Sequence, residues 1–188
     1  MRLFIAIQIP QDLRQEIALW MKALAQLIPD PKGRLHWVKE NQLHLTLKFL
    51  GETREDQVQP LRQALKAVAA VHAGFSMRLT KVGHFGGRVV WLGIETGTKE
   101  TAALAGSIED GCQMLGFVRE SRAFNPHITL ARSKFNPGTL RLADLPHPIT
   151  QKIFGPFTVF EVGLIQSTLT PQGAIYKTLE KFPFARVT

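Results

Sequence analysis

The sequence contains one cysteine and one tyrosine, and its acidic side chains are outnumbered by basic ones. A lone Cys112 excludes an internal disulfide and a thiolate metal cluster, and the residue reads as a small apolar member of a helix stripe. Apolar runs are short as well. The run Leu3 to Ile9 is shorter than the apolar core of an export signal, and Pro10, Gln11 and Asp12 follow it at once. No run approaches the ~20 residues of a membrane span, so a soluble, cytoplasmic protein is expected, with no membrane partner. Low-complexity segments and a disordered tail are missing too. The histidines show no paired ligand spacing, and there is no Asp-x-Asp or His-x-His pair; no metal or other cofactor is expected.

What is present is an ordinary globular composition, 45% apolar, in 188 residues, enough to bury a core. Lys and Arg number 23 against 15 Asp and Glu, a net charge of +8 with a pI near 10.0. Such a balance points to a polyanionic partner, with nucleic acid the leading class.

Along the chain, Leu3 to Ile9 reads as a buried strand. Leu13, Ile17, Trp20, Met21, Leu24 and Leu27 then recur at helical spacing, and Pro29 and Pro31 close that helix before the loop Lys32-Gly33-Arg34. The run Leu43 to Leu50 reads as a strand stopped by Gly51. A second helix is expected between Thr53 and Val71, with Thr53 and Asp56 spaced as a capping box and Pro60 implying a separate first turn or a kink. Strands are expected over Phe75 to Val82 and Val89 to Glu95. A third helix starts near Thr98, carries Leu104, Ile108, Cys112 and Leu115 on one stripe, and stops at Gly116. The segment Phe124 to Ser133 is strand-like, followed by a turn at Asn136-Pro137-Gly138. Two last strands, Phe157 to Ser167 and Ile175 to Phe182, flank the turn Thr170-Pro171-Gln172-Gly173.

Two tetrapeptides repeat within this framework: His44-Leu45-Thr46-Leu47 and His127-Ile128-Thr129-Leu130. Strand alternation puts His44 with Thr46 on one face and Leu45 with Leu47 on the other, and treats the second copy alike. The surrounding order of elements also recurs, shifted by roughly eighty to ninety residues. Ala6 aligns with Gly93, His44 with His127, and Val82-Gly83 with Val162-Gly163. A single domain over 1–188 is therefore expected, made of repeat halves near 1–85 and 86–188. Packed about a pseudo-twofold axis, the halves would bring both histidines to one cleft.

Two histidines facing one cleft suit a reaction in which one proton is taken and another given. Two threonine hydroxyls beside them suit the non-bridging oxygens of a phosphate. One His-x-Thr alone carries little information; two copies at equivalent places carry much more. His36, His72, His84 and His147 have no such companions and read as surface or structural. Phe49, Trp91 and Phe124 are placed to stack on a base, although aromatics flanking strands more often belong to a core. Strand parity puts Lys48 on the cleft face with Thr46, and Arg132 on the face opposite His127.

The paired motifs resemble the signature of the 2H phosphoesterase superfamily. The stretches Arg2-Leu3-Phe4-Ile5-Ala6-Ile7, Asn41 to Gly51, Arg88 to Gly93, Pro126 to Arg132 and Ser167 to Pro171 are similar to its bacterial and archaeal branch, the RNA 2′,3′-cyclic phosphodiesterases, also called 2′-5′ RNA ligases. The resemblance implies an α+β, bilobal fold with antiparallel sheets lining a central cleft and helices outside. It implies metal-independent opening of an RNA 2′,3′-cyclic phosphate end to a 2′-phosphomonoester, with ATP-independent 2′-5′ ligation by the same site. It implies further that His44 is the proton donor and His127 the proton acceptor, that Thr46 and Thr129 hold the phosphate, and that Arg132 contacts it; against strand parity, a bulge or the strand's end would have to turn that arginine inward.

Two other readings compete. One keeps the chemistry and changes the substrate to ADP-ribose cyclic phosphate or 2′-5′ oligonucleotides. The other is a non-catalytic, basic RNA-binding module. A metal-dependent nuclease would be separated from all of these by EDTA. A monomer is expected, since the duplication supplies two halves within one chain.

Overall fold

The apolar run at the N-terminus is a strand, β1 (Arg2–Gln8), buried on both faces. Leu3, Ile5 and Ile7 point into the main core, whereas Phe4 and Ala6 form a small separate cluster with Ile165, against which Tyr176 packs. Two-sided burial is why the run lacks alternation. The computed structural model describes residues 1–30, 33–133, 142–171 and 173–185. Pro31, Lys32, the turn Asn136-Pro137-Gly138 and Gln172 lie outside the described residues.

After β1 come α1 (Gln11–Leu27), β2 (Leu35–Trp37), β3 (His44–Glu52), α2 (Glu55–Val71), β4 (Phe75–Phe85), β5 (Val89–Thr96) and α3 (Thr98–Met114). Then follow β6 (Ile128–Ser133), the one-turn α4 (His147–Thr150), β7 (Phe154–Val159), β8 (Glu161–Thr170) and β9 (Gly173–Pro183). α1 buries Leu13, Ile17, Trp20, Met21 and Leu24, the stripe its spacing dictates. α3 buries Leu104, Ile108 and Cys112, and Gly116 follows at φ +83°, a left-handed stop.

Three local expectations are corrected, and two short elements are additional. β2 and α4 carry no periodicity because each is shorter than a window that could reveal it. The strand expected over Phe157 to Ser167 is two strands, because Phe154–Val159 pairs with β4 and the chain then crosses to pair with β1 and β9. The cap of α2 lies one residue later than Thr53: the Arg54 N–H donates to the Gln57 side chain at 3.1 Å, while the buried Thr53 hydroxyl donates to the Gly51 carbonyl. Finally, α2 runs unbroken through Pro60, which forfeits one backbone bond at an exposed position.

Among the described residues the named strands pair antiparallel in one sheet, in the order β7-β4-β5-β6-β3-β1-β8-β9 with β2 on the free part of β6, and an isolated parallel bridge joins Ala73 to Ala185. The expected pair of sheets is thus one curled sheet with two wings, β7-β4-β5-β6 and β3-β1-β8-β9. They meet where Leu45 pairs with Ile128. The helices cover the wings crosswise. α1, early in the chain, packs against β7, with the Trp20 ring 5.1 Å from that of Phe154. α3 packs against β3 and α2, and α2 against β8 and β9.

The two wings share a register. The β1–β3 ladder steps from Ile5↔Lys48 to Ala6↔Thr46, leaving Leu47 as an extra residue. The β5–β6 ladder steps from Val90↔Ala131 to Trp91↔Thr129, leaving Leu130 as the extra residue. Ala6 also pairs with Gly163, and Trp91 with Gly83. Val82-Gly83 and Val162-Gly163 therefore occupy like positions, but the counterpart of Ala6 is Trp91, not Gly93. Similar small side chains suggested Gly93, which pairs two rungs away with Thr80. The Trp91 indole lies across Gly83, where an added Cβ would meet it at 2.1 Å, so position 83 has room only for glycine.

Candidate active site

The paired bulges shape the cleft, because one extra residue inverts the strand's parity beyond it. Past Leu47, Lys48 turns away from the cleft, contrary to simple alternation. Its buried Nζ donates to Glu109 Oε1 of α3 at 2.6 Å and to the Val118 carbonyl at 3.0 Å. Phe49 swings onto the cleft face in its place, 62% exposed, with its ring centroid 6.1 Å from that of Phe4. Past Leu130 the same inversion brings Arg132 onto the cleft face, where Nη2 donates to Thr129 Oγ1 at 3.2 Å. Unbulged parity gives the wrong face for both residues.

At the junction of the wings, Leu45 and Ile128 are fully buried on the core side. Carrying their antiparallel register one residue either way puts His44 opposite Thr129 and Thr46 opposite His127. Each histidine is fixed through Nδ1. His44 Nδ1 lies 2.6 Å from the Gln42 carbonyl and His127 Nδ1 lies 2.6 Å from the Asn125 carbonyl. A carbonyl only accepts, so Nδ1 carries the hydrogen in both rings and Nε2 is the nitrogen left for proton transfer. His44 Nε2 sits 3.1 Å from Thr46 Oγ1.

The two imidazoles differ in their surroundings. His44 is wedged between Phe4 and Tyr176, with centroids 4.8 and 5.3 Å away. Desolvation there pushes its pKa down to about 4, with the positive charges of Arg132 and His127 adding to the effect and the Gln42 carbonyl opposing it. His127 meets only the edge of Phe85, at 4.9 Å, and lines an open pocket. Burial and Arg132 lower its pKa also, while the Asn125 carbonyl opposes the shift. Tyr176 is pushed up by burial, against the opposing charges of Arg132 and Arg2.

His72 and His84 serve structure, bonding Ser107 Oγ at 3.0 Å and the Gly87 N–H at 3.1 Å. Phe49 and Phe124 are exposed and Trp91 lines the pocket beside His127, so none of the three lies in the core. Sequence reasoning did not find Phe4, Gln8, Phe85 and Tyr176. Gln8 pairs with His44 across the ladder and donates to Thr178 Oγ1. Only the tyrosine had a visible signal, its being the sole one in the chain. Among the described residues no three His, Cys, Asp or Glu side chains gather as metal ligands, and no helix is long and apolar enough to cross a membrane.

Two imidazoles with fixed tautomers, two hydroxyls and a guanidinium around one cleft form a set able to hold an anionic phosphorus centre and move a proton on each side of it. Known proteins share this framework. The chain is 30% identical over 186 residues to the RNA 2′,3′-cyclic phosphodiesterase of Methanocaldococcus jannaschii, covering 97% of this chain and 100% of that one. It is 34% identical over 187 residues to the enzyme of the same name from Archaeoglobus fulgidus, covering 97% and 99%. The crystal structure of Escherichia coli LigT complexed with 3′-AMP superposes with a TM-score of 0.78 at 28% identity, covering 97% of each chain. Residues 11–169 match the model of the 2′-5′ RNA ligase superfamily, and the chain belongs to that family.

Proposed function

We propose that this protein hydrolyses 2′,3′-cyclic phosphate ends of RNA to 2′-phosphomonoesters, and that the His44–His127 cleft performs the reaction. The observation that carries the reading is the matched pair of histidines, each with Nδ1 held by a carbonyl two residues upstream and set on one sheet face at the Leu45–Ile128 junction. The curated relatives, similar along nearly the whole chain, support RNA as the substrate over ADP-ribose cyclic phosphate or 2′-5′ oligonucleotides.

In the proposed mechanism His127 Nε2 takes the proton of a water as its oxygen attacks phosphorus. His44 Nε2 gives a proton to the departing 3′ oxygen on the far side. Thr46, Thr129 and Arg132 donate to the non-bridging oxygens, where negative charge grows in the transition state. Replacing water by a 5′-hydroxyl yields a 2′-5′ linkage with the same residues and no ATP. One chain supplies every group, which supports action as a monomer, and the reading places the enzyme with RNA in the cytoplasm.

The test is product analysis on an RNA ending in a 2′,3′-cyclic phosphate, in the presence of EDTA. A 2′-phosphate product is expected, with activity lost in His44→Ala and in His127→Ala. A 3′-phosphate would reverse the two roles, and an untouched cyclic end would leave only a binding module.

A further inference from the structure

The cleft is not symmetric about its two histidines. Beside His44 the space is filled by the rings of Phe4 and Tyr176. Beside His127 it opens into a pocket of about 400 Å³, whose walls include Phe85, Trp91, Ile94 and Pro126. The difference follows from the register. Trp91 stands where the other wing has Ala6, and its indole, laid across Gly83, forms the pocket's flat wall. Thr98, the first residue of α3, is among the lining residues. Lys81 and Glu95 also line the pocket and are exposed, Lys81 being the extra residue of a β4 bulge at φ +67°.

In-line displacement gives the two sides of the phosphorus different occupants. The ribose bearing the cyclic phosphate owns the leaving 3′ oxygen, so it lies toward His44, and the nucleophile approaches from the side of His127. Water needs no pocket of this size. The volume falls in the range of small-molecule sites, and flat aromatic walls with exposed polar groups among the lining suit a nucleobase and its ribose. We infer that the Phe85–Trp91 pocket seats the acceptor nucleoside, the one whose 5′-hydroxyl competes with water for the cyclic phosphate. The inference rests on the roles proposed above for His44 and His127. In the joining step the 5′ oxygen forms a bond to phosphorus as the bond from phosphorus to the 3′ oxygen breaks. His127 receives the proton of the 5′-hydroxyl, His44 supplies one to the 3′ oxygen, and no co-reactant is consumed.

The test compares joined with hydrolysed product in a single reaction, using a cyclic-phosphate-ended RNA and an excess of a 5′-hydroxyl oligonucleotide. Thr98→Trp puts bulk into the pocket from a lining residue outside the proposed catalytic set. The ratio of joined to hydrolysed product is expected to fall about tenfold or more, in a variant whose circular dichroism and melting match the parent. An unchanged ratio, or a parent protein that hydrolyses the cyclic end but yields no joined product, overturns the inference. Adenosine, which carries no phosphate, probes the pocket without catalysis: in NMR it is expected to shift the indole N–H signal of Trp91 and the backbone signal of Thr98. Shifts confined to Phe49 and Tyr176 overturn it. A parent that binds adenosine at Trp91 but leaves the cyclic phosphate intact would refute the hydrolase reading and spare the pocket.

Discussion

His44 and His127 are held by the same bond in two different environments: Nδ1 donates to the carbonyl two residues upstream at 2.6 Å in both, but one ring is enclosed by aromatics and the other borders open space. Matching bonds fix a common tautomer, while unequal burial separates the two affinities for a proton. The enclosed imidazole gives up its proton more readily in the free protein, and in the proposed complex an anionic phosphate beside Nε2 would restore it. In the proposed mechanism substrate binding would thus favour the protonated His44 that the departing oxygen needs.

The pH dependence of catalysis follows. Desolvation places both pKa values below 6.5, that of His44 at about 4, and kcat/KM reports the free enzyme. Its bell is expected to peak below pH 6.5, between the two values, with His127 neutral and His44 charged in the reactive fraction. The bell for kcat is expected to move upward, because the bound phosphate favours the imidazolium. Steady-state kinetics between pH 4 and 8 checks both limbs, and a kcat/KM that rises without a maximum would exclude paired histidine catalysis.

Stability should depend on pH through the same residue. Unfolded His44 titrates near 6.5 and the folded residue near 4, so between those values the unfolded chain binds more protons. The contribution of neutral His44 is complete above pH 6.5 and is lost as pH falls toward 4, up to something on the order of 3 kcal/mol. Urea unfolding at a series of pH values checks it, and His44→Leu should flatten that part of the curve.

The proposed phosphate donors make a quantitative prediction. Thr46→Val and Thr129→Val should each lower kcat by about tenfold to a hundredfold with little change in fold, since each removes one donor to a charged oxygen. Arg132 donates to Thr129 at 3.2 Å, so these two residues are expected to be non-additive, with a coupling of about 0.5–3 kcal/mol in a double-mutant cycle on kcat/KM.

Lys48 is a matter of stability. Its ammonium is bonded to Glu109 and to the Val118 carbonyl, and Glu109 also accepts from the Glu120 N–H, so the pair ties down the segment that leads to His127. Lys48→Met leaves Glu109 with its charge uncompensated and should cost about 3–5 kcal/mol in denaturant unfolding. Lys48→Met combined with Glu109→Leu should recover much of that loss.

Much of this arrangement is legible in the sequence, and the rest fails for identifiable reasons. The helices α1 and α3 follow from apolar spacing, and the twin His-x-Thr motifs single out the four central residues. Lys48 and Arg132 were misplaced by alternation because a bulge is invisible to it: Leu47 and Leu130 look like any other aliphatic in a strand. The resemblance to a family points to an inward Arg132 but offers nothing for Lys48. Phe4 and Tyr176 meet His44 only through pairings that span the chain, and no local pattern encodes those. The pocket beside His127 depends on Trp91 standing over Gly83, a match recoverable only from the ladder.

The crosswise arrangement of strands and helices also governs the order in which the molecule can be completed. β1 lies between β3 and β8, so the first strand made keeps one edge and the Phe4–Ala6 face open until nearly the last strand emerges. α1 likewise waits for β7 before Trp20 has a ring to cover. Contacts so distant in sequence make closure slow. A nascent chain halted before Glu161 therefore carries an unpaired apolar edge, the kind of surface that chaperones recognise and aggregates recruit.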